Sequence, residues 1–302
     1  MTDAFAGSMS EQSASGIAGI AVAVGKFDAL HVGHRALVAR AAQLGTPCLL
    51  RLTGLAEAFG WPARMPLIAE DDRSRVLADW PGNPREIAAD IRELRGLDAG
   101  GFVDWLVRTR HSTALVVGAD FRCGRGRSAG VAELAPLCLS RGMTLTVVDP
   151  IQVSGQPASS SRVRAALAEG DVLVASACLG RPHRLVGTVE RGDGRGRTIG
   201  FPTANLGLPR CQVPGNGVYA ARAWLDGRSW PAAVNIGVLP TIGDARALTV
   251  EAHLIGFVGE CYGSDIGLDL LGRIRAEQRF ASLDDVRRQI ATDVAQVASL
   301  VG

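Results

Sequence analysis

Residues 17–45 read IAGIAVAVGKFDALHVGHRALVARAAQLG, and this stretch decides the first half of the fold. The run at 17–24 is short and continuously apolar, as a strand buried on both faces is, and it ends at Gly25. From His34 to Leu44 apolar residues recur at helical spacing, and Gly45 follows as a stop. A buried strand, a glycine turn and a helix make the opening unit of a parallel α/β sheet. In such a sheet the ligand lies beyond the carboxyl ends of the strands. Two imidazoles, His31 and His34, fall at that turn with Gly33 between them. A helix start presents unpaired N–H groups and the positive dipole end, so the place suits a phosphate.

The same alternation continues outward. Apolar runs at 46–52, 113–121 and 143–150 read as further buried strands, and 70–80 and 98–109 read as helices. Together they predict a doubly wound, Rossmann-like α/β domain. Residues 159–180 predict two short helices joined at Gly170. From about 183 to 272 the pattern shifts to period-two runs punctuated by glycine, with Asp226-Gly227 as a hairpin signal. This predicts a small antiparallel barrel. A closing helix is expected over 282–301, capped by Ser282. The domain change falls between 150 and 182, giving a frayed tail over 1–15, a nucleotide-binding domain over 16–182 and a second domain over 183–302.

The bulk numbers fit this plan. The 302 residues can bury two cores, and 47% hydrophobic with 21% charged is a globular balance. A net charge of +2 gives no global reason to expect a nucleic-acid partner. No apolar run reaches the length of a membrane span, and the first fifteen residues lack the pattern of a signal peptide. The six cysteines form no C-x-x-C pair and read as reduced thiols of a cytoplasmic protein. The oligomeric state stays open.

Four further motifs carry chemistry. "GADFRCGRGR" (118–127) places Arg122, Arg125 and Arg127 in a glycine-rich loop, either a phosphate-binding loop or a solvated basic one. "SSSRVR" (159–164) opens a helix with hydroxyls and an arginine, either an anion site or plain capping. "GDGRGRTIGFPTANL" (192–206) combines a glycine turn and two arginines with Thr203 and Asn205, whose oxygens suit Mg²⁺ shared with phosphates. Glu251 interrupts the apolar strand pattern of "VEAHLIGF" (250–257), as a wet-face residue or a positioned base. A metal site at His31 and His34 ranks low, since no further Cys or His falls in register. Taken alone, the histidine pair fits two surface residues at a helix start equally well.

In order, G-x-F-D…H-x-G-H, G-x-D-F-R-x-G-R and S-S-S-R-V-R resemble the adenylyltransferase module of the bacterial bifunctional riboflavin kinase/FMN adenylyltransferases. "GFPTAN", "NGVYA", "NIG..PT" and "E.HL" resemble the riboflavin kinase barrel of the same family. The resemblance spans nearly the whole chain. It implies small-molecule substrates, namely ATP, riboflavin and FMN, with Mg²⁺. It implies that His31 and His34 act on ATP phosphates, supported by Gly25, Phe27, Asp28, Gly33, Ser160, Ser161 and Arg164. It makes Asp120, Phe121, Arg122 and Arg125 candidates for the flavin site of the first module. In the second it implies phosphate contacts from Gly194, Arg195, Gly196 and Arg197, Mg²⁺ ligation by Thr203 and Asn205, and Glu251 as general base.

The departures from the family concentrate in the first module. Lys26 and Ala29 replace an asparagine and a glycine, and Cys123 replaces a phenylalanine. The F-D-P-H-P segment that helps bind the flavin is absent, and "RLTGLAEAFGWP" (51–62) stands in its place. In the second module Leu239 and Ile242 depart around Pro240-Thr241. Each lost acceptor contact would weaken binding by ~1–3 kcal/mol. Three readings are therefore carried forward: a bifunctional enzyme, a riboflavin kinase with a weak, lost or redirected first module, and a non-catalytic flavin or nucleotide binder.

Overall fold

The structure is a computed structural model that describes residues 19–192, 194–240 and 246–301. The tail expected over 1–15 lies outside the described residues, as do Thr241 and Ile242. The first half runs β1 (Ile20–Gly25), α1 (Val32–Ala42), β2 (Thr46–Thr53), α2 (Leu55–Phe59), α3 (Arg73–Ala78), β3 (Arg85–Asp90), α4 (Ile91–Leu94), α5 (Ala99–Arg110), β4 (Ser112–Gly118), α6 (Val131–Leu139) and β5 (Thr144–Val148). The strands form one parallel sheet in the order β3-β2-β1-β4-β5. The order reverses between β1 and β4, which opens a crevice beyond their carboxyl ends. Both faces are covered, which explains the uninterrupted apolar runs of β1, β2 and β4. Leu37 and Val38 of α1 and Val76 of α3 close one face, while Val103 and Leu106 of α5 and Leu134 of α6 close the other.

A short hairpin, β6 (Gln152–Val153) with β7 (Gln156–Pro157), leads into α7 (Ser160–Glu169) and α8 (Val172–Leu179). These are the two expected helices, and Gly170 ends the first in the left-handed conformation. The second half is β8 (His183–Glu190), α9 (Arg195–Thr198), β9 (Ala204–Leu206), β10 (Gly217–Leu225), β11 (Arg228–Pro240), β12 (Arg246–Leu254), β13 (Asp265–Arg275) and α10 (Leu283–Val301). Its strands close a barrel in the order β10-β11-β12-β9-β8-β13. Asp226 and Gly227 both take positive φ (47° and 74°) between paired Leu225 and Arg228, the backbone a two-residue hairpin requires. Ser282 Oγ accepts from the Asp285 N–H at 3.2 Å and caps α10.

Several expectations shift. The first helix begins at Val32 rather than near His34, because His31 caps it. The third buried strand ends at Gly118, and residues 119–121 turn away, with the Phe121 N–H donating to Gly118 O. β3 is an edge strand of mixed polarity with no apolar run, and α6, although apolar as VAELAPLCL, contains Pro136, which argues against a helix in sequence. All six cysteines are free. Among the described residues no helix is long and apolar enough to cross a membrane.

One apolar cluster runs without a break from Ala29 and Leu67, through Val163, Leu167 and Leu179, into Leu185, Tyr219 and Leu268 of the barrel. The sheet and the barrel are therefore joined by a shared core. A polar seam runs beside it. Gln212 receives Arg164 Nη1 on Oε1 at 2.8 Å, its N–H donates to Pro66 O, and its carbonyl accepts from His183 Nε2 at 2.7 Å. His183 is 1% exposed, and burial lowers its pKa to about 4.

That burial sets a pH dependence. The unfolded chain takes up the proton near pH 6.5, while the folded chain resists it until about pH 4. Stability is therefore unaffected above pH 6.5 and falls as the pH drops below it. We expect denaturant titrations to give about 2 kcal/mol less stability at pH 5 than at pH 7.5 from this group alone. His183→Gln should reduce that slope by this amount, leaving the part contributed by the other buried histidines; a slope unchanged by the substitution would contradict the assignment.

Candidate functional site

The first site forms where β1 turns into α1. Gly25 lets the Phe27 ring fold back beneath it, since a Cβ there would lie 3.3 Å from that ring. Phe27 and Leu30 take positive φ, 48° and 47°, which is costly for bulky side chains. Both are fully buried, as is Ala29 between them. Guanidinium groups hold this backbone: Arg73 Nη1 donates to Phe27 O at 3.0 Å, and Arg181 donates to Ala29 O at 3.0 Å and Leu30 O at 2.7 Å. Asp28 accepts from the Leu67 N–H and, at 2.7 Å, from Arg164 Nη2.

The geometry fixes the state of the two histidines. His31 Nδ1 accepts from the N–H groups of Gly33 (3.1 Å) and His34 (3.4 Å), and His34 Nδ1 accepts from the His31 N–H at 3.4 Å. The rings stack with centroids 3.7 Å apart. Burial, followed by the charge of Arg181, lowers the His31 pKa to about 4, with Asp28 opposing. Burial also takes His34 well below its ordinary value, helped by His31, Arg73 and Arg181. Both imidazoles are thus neutral at pH 7. A neutral ring that accepts at Nδ1 carries its proton on Nε2. The pair is a set of two N–H donors at a helix start. A Cβ on Gly33 would press on the His31 ring at 3.0 Å.

Beside this loop lies a cavity walled by Lys26, Asp28, Arg73, Ser160, Ser161 and Arg164. Ser159 is the residue that caps α7, accepting from the Arg162 N–H, so the hydroxyls of Ser160 and Ser161 are spared that duty. Phe27 supports this site from beneath and does not line it. A second cavity, across the end of β1, is lined by Val24, Leu52, Phe59, Phe121, Arg122 and Arg125 among others. Its loop is less free than the sequence suggests. Arg122 donates to the carbonyls of Arg127 and Ser128, and Arg125 donates to Gly96 O. Asp120 is exposed in the turn after β4 and takes no part in this wall. Segment 51–62 forms α2 and contributes to both cavities. Phe59 and Trp61 stack at 5.2 Å, and Lys26 Nζ sits 4.7 Å over the Trp61 ring. Aromatic surface is therefore present where the sequence departs from the family.

The barrel carries a second, separate site on its outer face. Directly paired residues of neighbouring strands point to the same face. The pairs Glu190–Asn205, Asn205–Glu251, Glu251–Asn235, Asn235–Val218 and Val218–Arg275 therefore form one row across the barrel. Val250, Ala252 and Leu254 point inward and are buried, which leaves Glu251 and His253 outward. Thr203 Oγ1 lies 3.4 Å from Glu251 Oε2, and His253 Nδ1 lies 2.8 Å from Pro202 O. α10 closes the far wall with Val286 and Ile290, pinned by Arg275 Nη2 on Asp293 at 2.8 Å. Asn235, His253, Arg275 and Glu277 also line this cavity. Sequence reading passes over them because only the register of the barrel brings them to Glu251.

The glycine turn before Thr203 is a cradle. A Cβ on Gly192 would collide with the Asn205 amide, and one on Gly196 would collide with Phe201 O and approach Thr203 Oγ1 at 3.2 Å. Gly194 takes φ 70° at the start of α9. Arg195 contributes backbone to α9, and its side chain lies outside the described residues. Arg197 reaches Tyr262 at 3.4 Å and lines a neighbouring hollow with Phe257, Tyr262 and Thr203. Thr203 therefore borders both hollows. Among the described residues no cluster of three His, Cys, Asp or Glu side chains forms a metal cage. The hydroxyl, amide and carboxylate oxygens here fit a Mg²⁺ that is completed by water and phosphate.

Comparison with known proteins matches a family model to a part of each half of the chain. A family model for FAD synthetase matches residues 63–162, and one for riboflavin kinase matches residues 179–301. The bifunctional riboflavin kinase/FMN adenylyltransferase of Pseudomonas fluorescens is 36% identical over 290 residues, covering 93% of each chain. FAD synthetase 1 of Arabidopsis thaliana chloroplasts is 37% identical over 269 residues, covering 81% of this chain and 73% of the relative. A crystal structure described as a macrolide-efflux protein from Streptococcus pneumoniae superposes with a TM-score of 0.82 at 25% identity, covering 93% of this chain and 94% of the other. With both domains present and relatives aligned over nearly their full length, the chain belongs to the bifunctional riboflavin kinase/FMN adenylyltransferase family.

Proposed function

We propose that the barrel phosphorylates riboflavin to FMN and that the parallel-sheet domain adenylylates FMN to FAD, with ATP as donor in both steps. The observation that carries this reading is the presence of two separate polar cavities, one lined by Thr203 and Glu251 and the other by Lys26, Arg73, Ser160, Ser161 and Arg164 beside the loop that carries His31 and His34. We assign adenylyl transfer to residues 16–182 and phosphorylation to 183–302, in a cytoplasmic protein.

In the barrel, Glu251 takes the proton from the acceptor hydroxyl as that oxygen attacks the γ-phosphorus of ATP and the bond to the bridging oxygen breaks, releasing ADP. Thr203, shared by two hollows, stands where donor and acceptor meet, with ATP on the Arg197 side and riboflavin on the Glu251 side. Thr203 and Asn205 would hold Mg²⁺, which neutralises phosphate charge. Gly192, Gly194 and Gly196 let the turn close over the phosphates. In the sheet domain, the FMN phosphate attacks the α-phosphorus of ATP and pyrophosphate leaves. The Nε2–H groups of His31 and His34 donate to phosphate oxygens whose charge grows in the transition state. They do so as neutral donors, with the protons already on Nε2. Ser160, Ser161 and Arg164 hold the nucleotide. Phe121 and Phe59 offer apolar surface to the flavin ring, with Arg122 and Arg125 at the rim.

The substitutions at 26, 29 and 51–62 favour a second reading in which the first domain binds its acceptor weakly. Lys26 and Trp61 argue against outright loss, since they furnish a cation and an aromatic face at that place.

Substitutions at two residues separate the sites. Glu251→Gln should lower FMN formation from riboflavin by roughly 100-fold or more while FAD formation from supplied FMN continues. Normal kinase turnover in this variant would remove Glu251 from the mechanism. His31→Ala should lose the helix cap and about 1 kcal/mol of stability, whereas His31→Asn should keep most of the cap. Both should lose FAD formation by a factor of about 100 and retain the kinase. FAD formation by His31→Asn at the wild-type rate would show that the cap, and not the Nε2 donor, is what the residue supplies.

A further inference from the structure

The loop that presents His31 and His34 is held by the connection that leads into the barrel. Arg181 follows α8 and stands two residues before β8 opens the barrel, inside the segment matched as riboflavin kinase. Its guanidinium spans three carbonyls: Ala29 O at 3.0 Å, Leu30 O at 2.7 Å, and Leu179 O at 3.2 Å at the end of α8. The neighbouring residue makes an independent contact. Gly180 ends α8 at φ 71°, and a Cβ there would lie 2.8 Å from Val32 Cγ1, on the first residue of α1. The connection between the two domains is thus wedged against both the strained loop and the helix start.

The two carbonyls that Arg181 grips are those directly before His31. Fixing them sets the direction in which α1 begins, and with it the placement of both imidazoles. Leu30 sits at φ 47°, a conformation that persists only when its surroundings over-determine it. A lysine ammonium keeps the charge but lacks the planar fork that reaches consecutive carbonyls together. The site is buried, and Arg181 stays charged at neutral pH although burial lowers its pKa to about 10. Arg73 holds Phe27 O from within the sheet, so the loop has one clamp from α3 and one from the connection into the barrel.

We propose that Arg181 is a positioning residue for adenylyl transfer, so that the connection leading into the barrel completes the geometry of the adenylyltransferase site. The inference rests on the functional reading above. It implies that FAD formation depends on a residue that contacts the histidine loop only through its backbone carbonyls.

The test uses the full-length chain with Arg181→Lys and Arg181→Met. Riboflavin phosphorylation in the same preparations reports whether the protein is folded and should stay within about twofold of wild type. The kcat for FAD formation from FMN should fall roughly tenfold to 100-fold in Arg181→Met, with little change in KM for ATP, as expected when a reacting geometry is displaced. Arg181→Lys should recover only part of it. Hydrogen–deuterium exchange at the Gly33 and His34 amides, which donate to His31 Nδ1, should accelerate in both variants while the barrel strands keep their protection. FAD formation at the wild-type rate in both variants would overturn the proposal. So would parallel loss of both activities with faster exchange throughout, which marks a general stability role. If the wild-type chain makes no FAD, the functional reading fails, and the exchange measurement still decides the inference: unchanged protection at Gly33 and His34 would refute it.

Discussion

The seven residues from Gly25 to His31 constrain the rest of this molecule. They turn the central strand of the sheet into its first helix through two left-handed, bulky residues, Phe27 and Leu30. Such a backbone is unfavourable by itself and needs partners. Here three buried side chains lie inside the turn, and three carbonyls receive guanidinium donors from Arg73 and Arg181. The consequence is chemical as well as structural. Because His31 must cap the helix through Nδ1, and His34 must return a hydrogen bond to His31 through its own Nδ1, both rings are committed to one tautomer. Desolvation keeps them neutral. The turn converts two ordinary histidines into oriented N–H donors.

The barrel solves a different problem by a different route. Its interior is filled with side chains such as Tyr219, Val234 and Leu268, so the site lies on the outside. Antiparallel register places Asn205, Glu251 and Asn235 in one row, and α10 supplies the missing wall. The Arg275–Asp293 pair and the Val297 and Val301 contacts hold that helix in place. The two sites share no residue, yet the shared apolar core and the Arg164–Gln212–His183 seam mean that neither domain presents an independent surface.

Much of this was legible in the chain. The buried strands announced themselves as apolar runs, Asp226-Gly227 marked the hairpin, Gly170 separated two helices, and Ser282 capped the last. Local chemistry produced each of these signals. β3 escaped because an edge strand with Arg85, Glu86 and Asp90 shows no apolar run. The clamps escaped for a stronger reason: Arg181 meets Leu30 across 151 residues of sequence and Arg73 meets Phe27 across 46. No periodicity encodes such contacts. Arg122 shows a contact that the sequence does not disclose: the folded loop engages it on its own carbonyls while it still lines the cavity. The candidate bases, hydroxyls and imidazoles were visible as motifs, whereas the tautomers and the cross-strand row required the fold.

The central claim is that one chain carries two working sites. The direct measurement is a chromatographic assay of the purified protein with Mg²⁺ and ATP, supplied with riboflavin in one reaction and FMN in another. The account predicts FAD from both. FMN from the first reaction with no FAD from the second would contradict it, leaving a riboflavin kinase whose histidine loop is built for a different acceptor.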